Sequence, residues 1–127
     1  MANIKFSWME FDCAVKQIVW QLTAGNKLDK FDAIYGIPRG GLVLAVALSH
    51  RLNKPLVSDI DQLSIPANHE RFLVVDEICD TGKTLSSFKN LLTATIHYNP
   101  KSGFRPTVWV GTKDSGDWII YPWEVCK

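Results

Sequence analysis

Residues 76–84 of this chain, Asp76-Glu77-Ile78-Cys79-Asp80-Thr81-Gly82-Lys83-Thr84, gather three carboxylates, two threonine hydroxyls and a glycine in one short stretch. Adjacent acids can accept hydrogen bonds from sugar hydroxyls, or hold a hard cation such as Mg2+, which needs only one or two carboxylates plus substrate oxygens. A threonine-glycine turn suits a phosphate: glycine lets the backbone approach closely and the threonines add hydroxyls. The two halves together describe a phosphorylated sugar, with Asp76 and Glu77 at its hydroxyls or metal and Asp80, Thr81, Gly82, Lys83 and Thr84 around a single phosphate. Gly82-Lys83-Thr84 also reads as the end of the nucleotide-binding pattern G-x-x-x-x-G-K-[ST]. The leading glycine of that pattern would fall at Glu77, whose carboxylate would repel the phosphates. Capping of a following helix accounts for one acid, not for three beside a threonine-glycine turn.

The elements that must position these groups are visible on either side. Phe72-Leu73-Val74-Val75 is a continuous apolar run suited to a strand buried on both faces. After the loop, Leu85, Phe88, Leu91 and Leu92 recur at helical spacing, which predicts a helix over 84–92 whose N-terminus would favour an anion. A second strand-to-helix junction, Pro38-Arg39-Gly40-Gly41, lies between a predicted strand over 31–37 and an apolar helix over 42–51. Its paired glycines permit conformations closed to other residues, and Arg39 brings a fork of donors suited to phosphate oxygens. Two anion loops flanking two acids describe a ligand with phosphate groups at both ends of a sugar.

Elsewhere the chain reads as a helix over 8–22, with Phe11, Val15, Ile18, Val19 and Leu22 on one side, Ser7 as its cap and Ala24-Gly25-Asn26 as its end. A short strand starts at 54–57. Residues 58–70 are polar, contain Pro66 and read as a mobile loop. A turn over 99–106, a strand over 107–112 and the tail Asp117-Trp118-Ile119-Ile120-Tyr121-Pro122-Trp123 complete the chain. This order implies an α/β fold, a mostly parallel central sheet flanked by helices on both faces. Ligands of such sheets bind beyond the carboxyl ends of the strands, which places residues 38–41, the loop after Val57, residues 76–84 and Lys113 along one rim.

At 127 residues the expectation is a single domain over 1–127, with 46% hydrophobic and 21% charged residues as in an ordinary globular protein. The net charge of +1 supplies no global field for nucleic acid or an anionic membrane, so any anion site is local. No apolar stretch approaches the roughly 20 residues that span a bilayer, and the N-terminus lacks the basic-then-apolar order of a signal peptide. Cys13, Cys79 and Cys126 are odd in number and show no metal-ligand spacing, which favours reduced thiols in a cytoplasmic setting, Cys79 as a small buried filler. His50, His69 and His97 show no metal spacing either and read as surface residues.

Together these residues resemble the type I phosphoribosyltransferases, whose signature is an apolar strand, two acids, a short gap and Asp-Thr-Gly-x-Thr, here residues 73–84. The front half is similar to the bacterial xanthine-guanine (6-oxopurine) enzymes in Trp8 before the first helix, the Arg39-Gly40-Gly41-Leu42 loop and the helix end Arg51-Leu52-Asn53. Trp118-Ile119-Ile120-Tyr121-Pro122-Trp123-Glu124 is similar to their Trp-Ile-x-x-Pro-Trp-acid tail. The resemblance implies the type I phosphoribosyltransferase fold with a small C-terminal hood over about 113–127. It implies that residues 80–84 hold the 5'-phosphate of phosphoribosyl pyrophosphate, that Asp76 and Glu77 take the ribose hydroxyls with Glu77 the better Mg2+ ligand, and that Arg39 and Gly40 meet the pyrophosphate. Lys113 would donate to the exocyclic oxygen of a 6-oxopurine, Trp118 would stack on the base, the Ile119 backbone would read its far edge, and Asp80 would accept the proton of the incoming base. A homo-oligomer, dimer or tetramer, is expected.

The chain departs from that family in two places. Residues 58–70 are short for its catalytic flap, lack the Ser-Tyr pair, and carry Asp59, Asp61 and Glu70 with no lysine or arginine before Arg71. The connection Asp114-Ser115-Gly116-Asp117 ahead of Trp118 is compressed, which makes a minimal hood. A module of the same fold that binds phosphoribosyl pyrophosphate or a nucleotide without turnover is the alternative to an enzyme; a nucleic-acid-binding regulator would want a basic patch that this composition does not display.

Overall fold

The computed structural model describes residues 2–57 and 71–124; the loop expected over 58–70 lies outside them. In chain order the elements are β1 (Asn3–Lys5), α1 (Trp8–Ala24), β2 (Ala33–Gly36), α2 (Gly40–Leu52), β3 (Leu56–Val57), β4 (Phe72–Cys79), β5 (Leu92–Tyr98), β6 (Val108–Thr112) and β7 (Trp118–Ile120), with short 3-10 helices at Leu28–Lys30 and Leu85–Phe88. Strands β3-β2-β4-β5-β6, in that spatial order, make one five-stranded sheet in which every pairing is parallel. The mostly parallel sheet flanked by helices is therefore the fold observed.

α1 starts where the sequence places its cap: Ser7 Oγ accepts from the Glu10 N–H (3.1 Å) while Glu10 Oε1 accepts from the Ser7 N–H (3.0 Å). It ends at Gly25, and α2 ends at Asn53 in the left-handed conformation. Both helices lie on one face of the sheet, where Val15, Ile18 and Leu22 of α1 and Leu44 and Leu48 of α2 pack on Ile34, Leu73 and Val75. The opposite face carries Tyr35, Phe72, Val74 and Tyr98, and its cover is Leu85 and Phe88 of the 3-10 helix with Phe104 of the following turn. Among the described residues no α-helix covers that second face, which corrects the expectation of helices on both sides.

The same correction explains a missed strand. The helix predicted over 84–92 is a four-residue 3-10 helix, Leu85–Phe88, and the chain then enters β5. Leu85, Phe88 and Leu91 are apolar because they all face the sheet, but Thr93, Thr95, Ile96 and Tyr98 are β-branched or aromatic residues that prefer extended backbone. Pairing with β4 on one side and β6 on the other satisfies both edges of β5 at once, a gain that outweighs local helical spacing.

The C-terminal hood is built from both ends of the described chain. β7 pairs in parallel with β1, Asn3 opposite Trp118 and Lys5 opposite Ile120, in a separate two-stranded sheet. Beneath it Trp123 stacks on Tyr121 (ring centroids 5.0 Å, planes 12° apart) and meets the edge of Phe11. His97, expected at the surface, is partly buried here: its Nδ1 is hydrogen-bonded to Tyr121 Oη (2.8 Å), which also lies within reach of the Glu77 carbonyl (3.2 Å). Burial pushes this imidazole below its ordinary value of 6.5. No described helix is long and apolar enough to cross a membrane.

Leu44 is fully buried between α2 and the sheet, so Leu44→Ala should lower the free energy of unfolding by about 2–5 kcal/mol, read by urea denaturation. The folded His97 resists protonation while the unfolded one takes a proton near pH 6.5, so its penalty is absent above that pH and grows as pH falls below it. The urea midpoint should accordingly fall between pH 7.5 and 5.5, and fall less in His97→Phe.

Candidate active site

β2 ends at Gly36, opposite Val75, whereas β4 runs on to Cys79 with β5 as its remaining partner. The side that β2 vacates is taken by the turn into α2. The Ile37 N–H donates to the Val75 carbonyl (2.9 Å). A Cβ at Gly41 would stand 2.6 Å from that same carbonyl oxygen, and a Cβ at Gly40 would fall onto the Glu77 carboxylate. Gly41 is thus required by a close approach of this loop to the backbone of the acid-bearing strand, while a side chain at Gly40 would have to displace the Glu77 carboxylate. The Pro38–Arg39 peptide is cis. α2 begins at Gly40, so the α-helix N-terminus at this rim belongs to the 38–41 loop and not to residues 80–84, where the predicted helix had put it.

Asp76 and Glu77 sit side by side at this opening. Asp76 Oδ1 accepts from the Glu77 N–H (2.9 Å), and burial together with the neighbouring Glu77 carboxylate holds the Asp76 carboxyl well above the usual carboxylate range. Sugar hydroxyls or a cation would relieve that crowding of like charge. Among the described residues no three His, Cys, Asp or Glu side chains converge on a metal position. Two adjacent acids still fit an ion that draws its other ligands from substrate oxygens.

Residues 80–84 line a recess of about 200 Å3 together with Asp76, Ile78, Cys79 and Leu85. Gly82 has a φ of +82°, and a Cβ there would meet Phe104 Cβ at 2.7 Å, so glycine is the residue this turn admits. The Gly103 N–H donates to the Thr81 carbonyl (3.1 Å) and ties the loop to the turn after β5. Cys79 is buried, its Sγ–H directed at the Phe104 carbonyl (3.4 Å), and burial pushes its thiol up: it is a protonated filler, as expected from sequence.

A second recess, about 320 Å3, adjoins the first and shares Ile78 and Asp80 with it. Its walls include Glu77, Lys113, Trp118 and Ile119, which the sequence singles out, and Asp117, Tyr121 and Glu124, which it does not. Lys113 is buried at the end of β6, with 3% of its side chain exposed, and its Nζ donates to Asp80 Oδ1 (3.0 Å). Asn99 Nδ2 donates to the same oxygen (3.1 Å). Trp118 is 65% exposed at the lip, while Ile119 is buried. The structure thus brings together every site residue read from sequence except the Arg39 side chain, which is exposed and makes no hydrogen bond or ion pair among the described residues.

The chain is similar to proteins of named activity. It is 30% identical to a xanthine-guanine phosphoribosyltransferase of Desulfotalea psychrophila over 93% of its own length and 84% of that protein's. This chain belongs to the type I phosphoribosyltransferase family. A second xanthine-guanine phosphoribosyltransferase, of Cereibacter sphaeroides, is 25% identical over 94% of this chain and 85% of its own. The crystal structure of a purine phosphoribosyltransferase from Pyrococcus horikoshii superposes with a TM-score of 0.79 at 27% identity, covering 98% of this chain and 96% of that one. No protein-family model matches the chain.

Asn99 escaped the sequence reading because β5 did: without that strand, its place on the rim beside Asp80 was not visible. Tyr121 and Glu124 lay within the tail motif, but their contact with the recess depends on how β7 folds back. Gly82→Ala should destabilise this phosphoribosyltransferase by about 1–3 kcal/mol in urea unfolding, since the new side chain combines a left-handed backbone with the Phe104 contact.

Proposed function

We propose that the protein is a purine phosphoribosyltransferase that transfers the 5-phosphoribosyl group from phosphoribosyl pyrophosphate to a 6-oxopurine (guanine, xanthine or hypoxanthine) and releases pyrophosphate. The observation that carries this reading is the pair of recesses meeting at Asp80, one a small-residue turn suited to a phosphate and the other a partly apolar slot with an aromatic lip. The acids Asp76 and Glu77 stand at the seam, where a ribose joining the two would lie.

Bond breaking at the anomeric carbon builds oxocarbenium-like positive charge on the ribose. Glu77 stabilises that charge through the field of its carboxylate, and both acids hold the ribose hydroxyls. Residues 80–84 anchor the 5'-phosphate, and Arg39 and Gly40, at the start of α2, receive the pyrophosphate. Mg2+ held by Glu77, with Asp76 beside it, would neutralise charge on the leaving group when bound. As the bond from the base nitrogen to the anomeric carbon forms and the bond to pyrophosphate breaks, the proton of that nitrogen passes to Asp80. Lys113 donates to the 6-oxo group, Trp118 stacks on the base and the Ile119 backbone reads its far edge. An amino group at the 6-position would set a donor against the Lys113 ammonium, so adenine is disfavoured.

The test is pyrophosphate release from phosphoribosyl pyrophosphate and Mg2+ with guanine, xanthine, hypoxanthine, adenine, uracil and orotate. Release is expected with the oxopurines and little with the rest. Silence across the panel with retained ligand binding would refute turnover and leave a non-catalytic binding module. Asp80→Asn should cut kcat by about 10²- to 10⁴-fold while binding of phosphoribosyl pyrophosphate changes far less.

A further inference from the structure

Asn99 is the first residue past β5. Its N–H donates to the Cys79 carbonyl (2.9 Å), which carries the sheet pairing one residue beyond the strand. Its side chain is buried, with both ends engaged. Nδ2 donates to Asp80 Oδ1 (3.1 Å) and to Ser115 Oγ (3.0 Å), and Oδ1 accepts from the Lys101 N–H (3.0 Å). Charge fixes the sense of this amide: turned over, it would set its oxygen against the Asp80 carboxylate and its NH2 against the Lys101 N–H. Lys113 Nζ reaches the same Asp80 oxygen (3.0 Å), so Oδ1 is held twice, while no donor among the described residues reaches Oδ2.

We propose that Asn99 is a positioning residue for Asp80: it fixes Oδ1 so that Oδ2 is the oxygen presented to the incoming base, and it ties that orientation to the hood through Ser115. The inference rests on the phosphoribosyl-transfer reading of the site. Lys113 cannot do this alone, because an ammonium on a flexible four-carbon stem follows the carboxylate as it turns. The short amide of Asn99, locked at both ends, does not. Ser115 belongs to the connection that leads to Trp118, so the wall that stacks the base and the carboxylate that takes its proton share one hydrogen-bonded bridge. Displacement of a reacting group by about 1 Å costs on the order of a hundredfold in rate.

The experiment is steady-state kinetics with phosphoribosyl pyrophosphate and guanine for the wild type, Asn99→Ala and Asn99→Asp, with crystal structures of the wild type and both variants. Asn99→Asp keeps the shape of the side chain and its acceptor for the Lys101 N–H but turns the donor facing Asp80 into an acceptor. A residue that only fills the turn would tolerate it. Expected is a loss in kcat of about tenfold to a hundredfold in Asn99→Ala and at least as large in Asn99→Asp, with KM for phosphoribosyl pyrophosphate within about twofold and Asp80 reoriented in both crystals. Wild-type kcat in Asn99→Asp, a proportionate change of kcat and KM in Asn99→Ala, or an unmoved Asp80 carboxylate in the crystals would each overturn the proposal. A wild-type protein that releases no pyrophosphate with any base refutes the transferase reading instead. The Asp80 orientation in the crystals then decides the role of Asn99 by itself, reoriented for it and unmoved against it. Should neither Asn99 variant fold, Ser115→Ala, which frees the hood end of the bridge, decides the matter: a fall in kcat at unchanged KM supports the proposal, and wild-type kcat overturns it.

Discussion

The site exists because β4 outlasts β2. Both are parallel and pair as far as Gly36 and Val75, after which β2 turns into α2 while β4 continues alongside β5. Backbone that has lost a strand neighbour on one side cannot stay buried unpaired. The Ile37 N–H takes the first exposed carbonyl, at Val75, and the glycine turn then lies so close that Gly41 has no room for a side chain and one at Gly40 would have to displace the Glu77 carboxylate. The residues beyond that point, Asp76 onward, are left at an edge open to ligand. The two loops suited to anions are neighbours for this reason alone, although some forty residues of chain separate them.

The second feature that organises the rim is the ion pair between buried Lys113 and half-exposed Asp80. A lysine with 3% of its side chain exposed needs a counter-charge, because an unpaired ammonium in such a place costs several kcal/mol. Asp80 supplies it, and so the loop after β4 and the end of β6 are locked together across β5. Asn99, at the end of β5, closes the gap between them and extends the network to Ser115. The result is a polar seam across the carboxyl ends of three adjacent strands, with a recess of about 200 Å3 on one side and one of about 320 Å3 on the other. Such an ion pair adds little net stability; its part at the rim is to bring the two elements it joins together.

The hood depends on a different interaction. Three residues of β7 could not hold a position by themselves, and β1 gives them a parallel partner. Aromatic packing of Tyr121, Trp123, Phe11 and Phe6 then fastens this small sheet over the main core. Tyr121 links it directly to the acid strand, since its hydroxyl is within hydrogen-bond reach of both the Glu77 carbonyl and His97 Nδ1.

Much of this was legible in the residues themselves. An apolar run ending in Asp76 and Glu77, the left-handed turn at Gly82 and the Ser7 cap of α1 are local requirements of backbone and side-chain chemistry, and each is met where the sequence put it, whereas the glycines at 40 and 41 answer to the nearness of β4. What lay beyond local chemistry was decided by pairing. The spacing of Leu85, Phe88 and Leu91 is the same whether they line a helix or cover a sheet, and only the presence of β4 and β6 on either side made 92–98 a strand. With that strand came Asn99 at the rim, the burial of His97, the placement of both helices on one face and the transfer of the α-helix N-terminus from residues 80–84 to the turn before α2. The sequence by itself determined which carboxylates, hydroxyls and glycines this protein carries at the ends of its strands. The tertiary structure decided which of them meet, because hydrogen bonding across parallel strands joins residues whose distance along the chain carries no record of their contact.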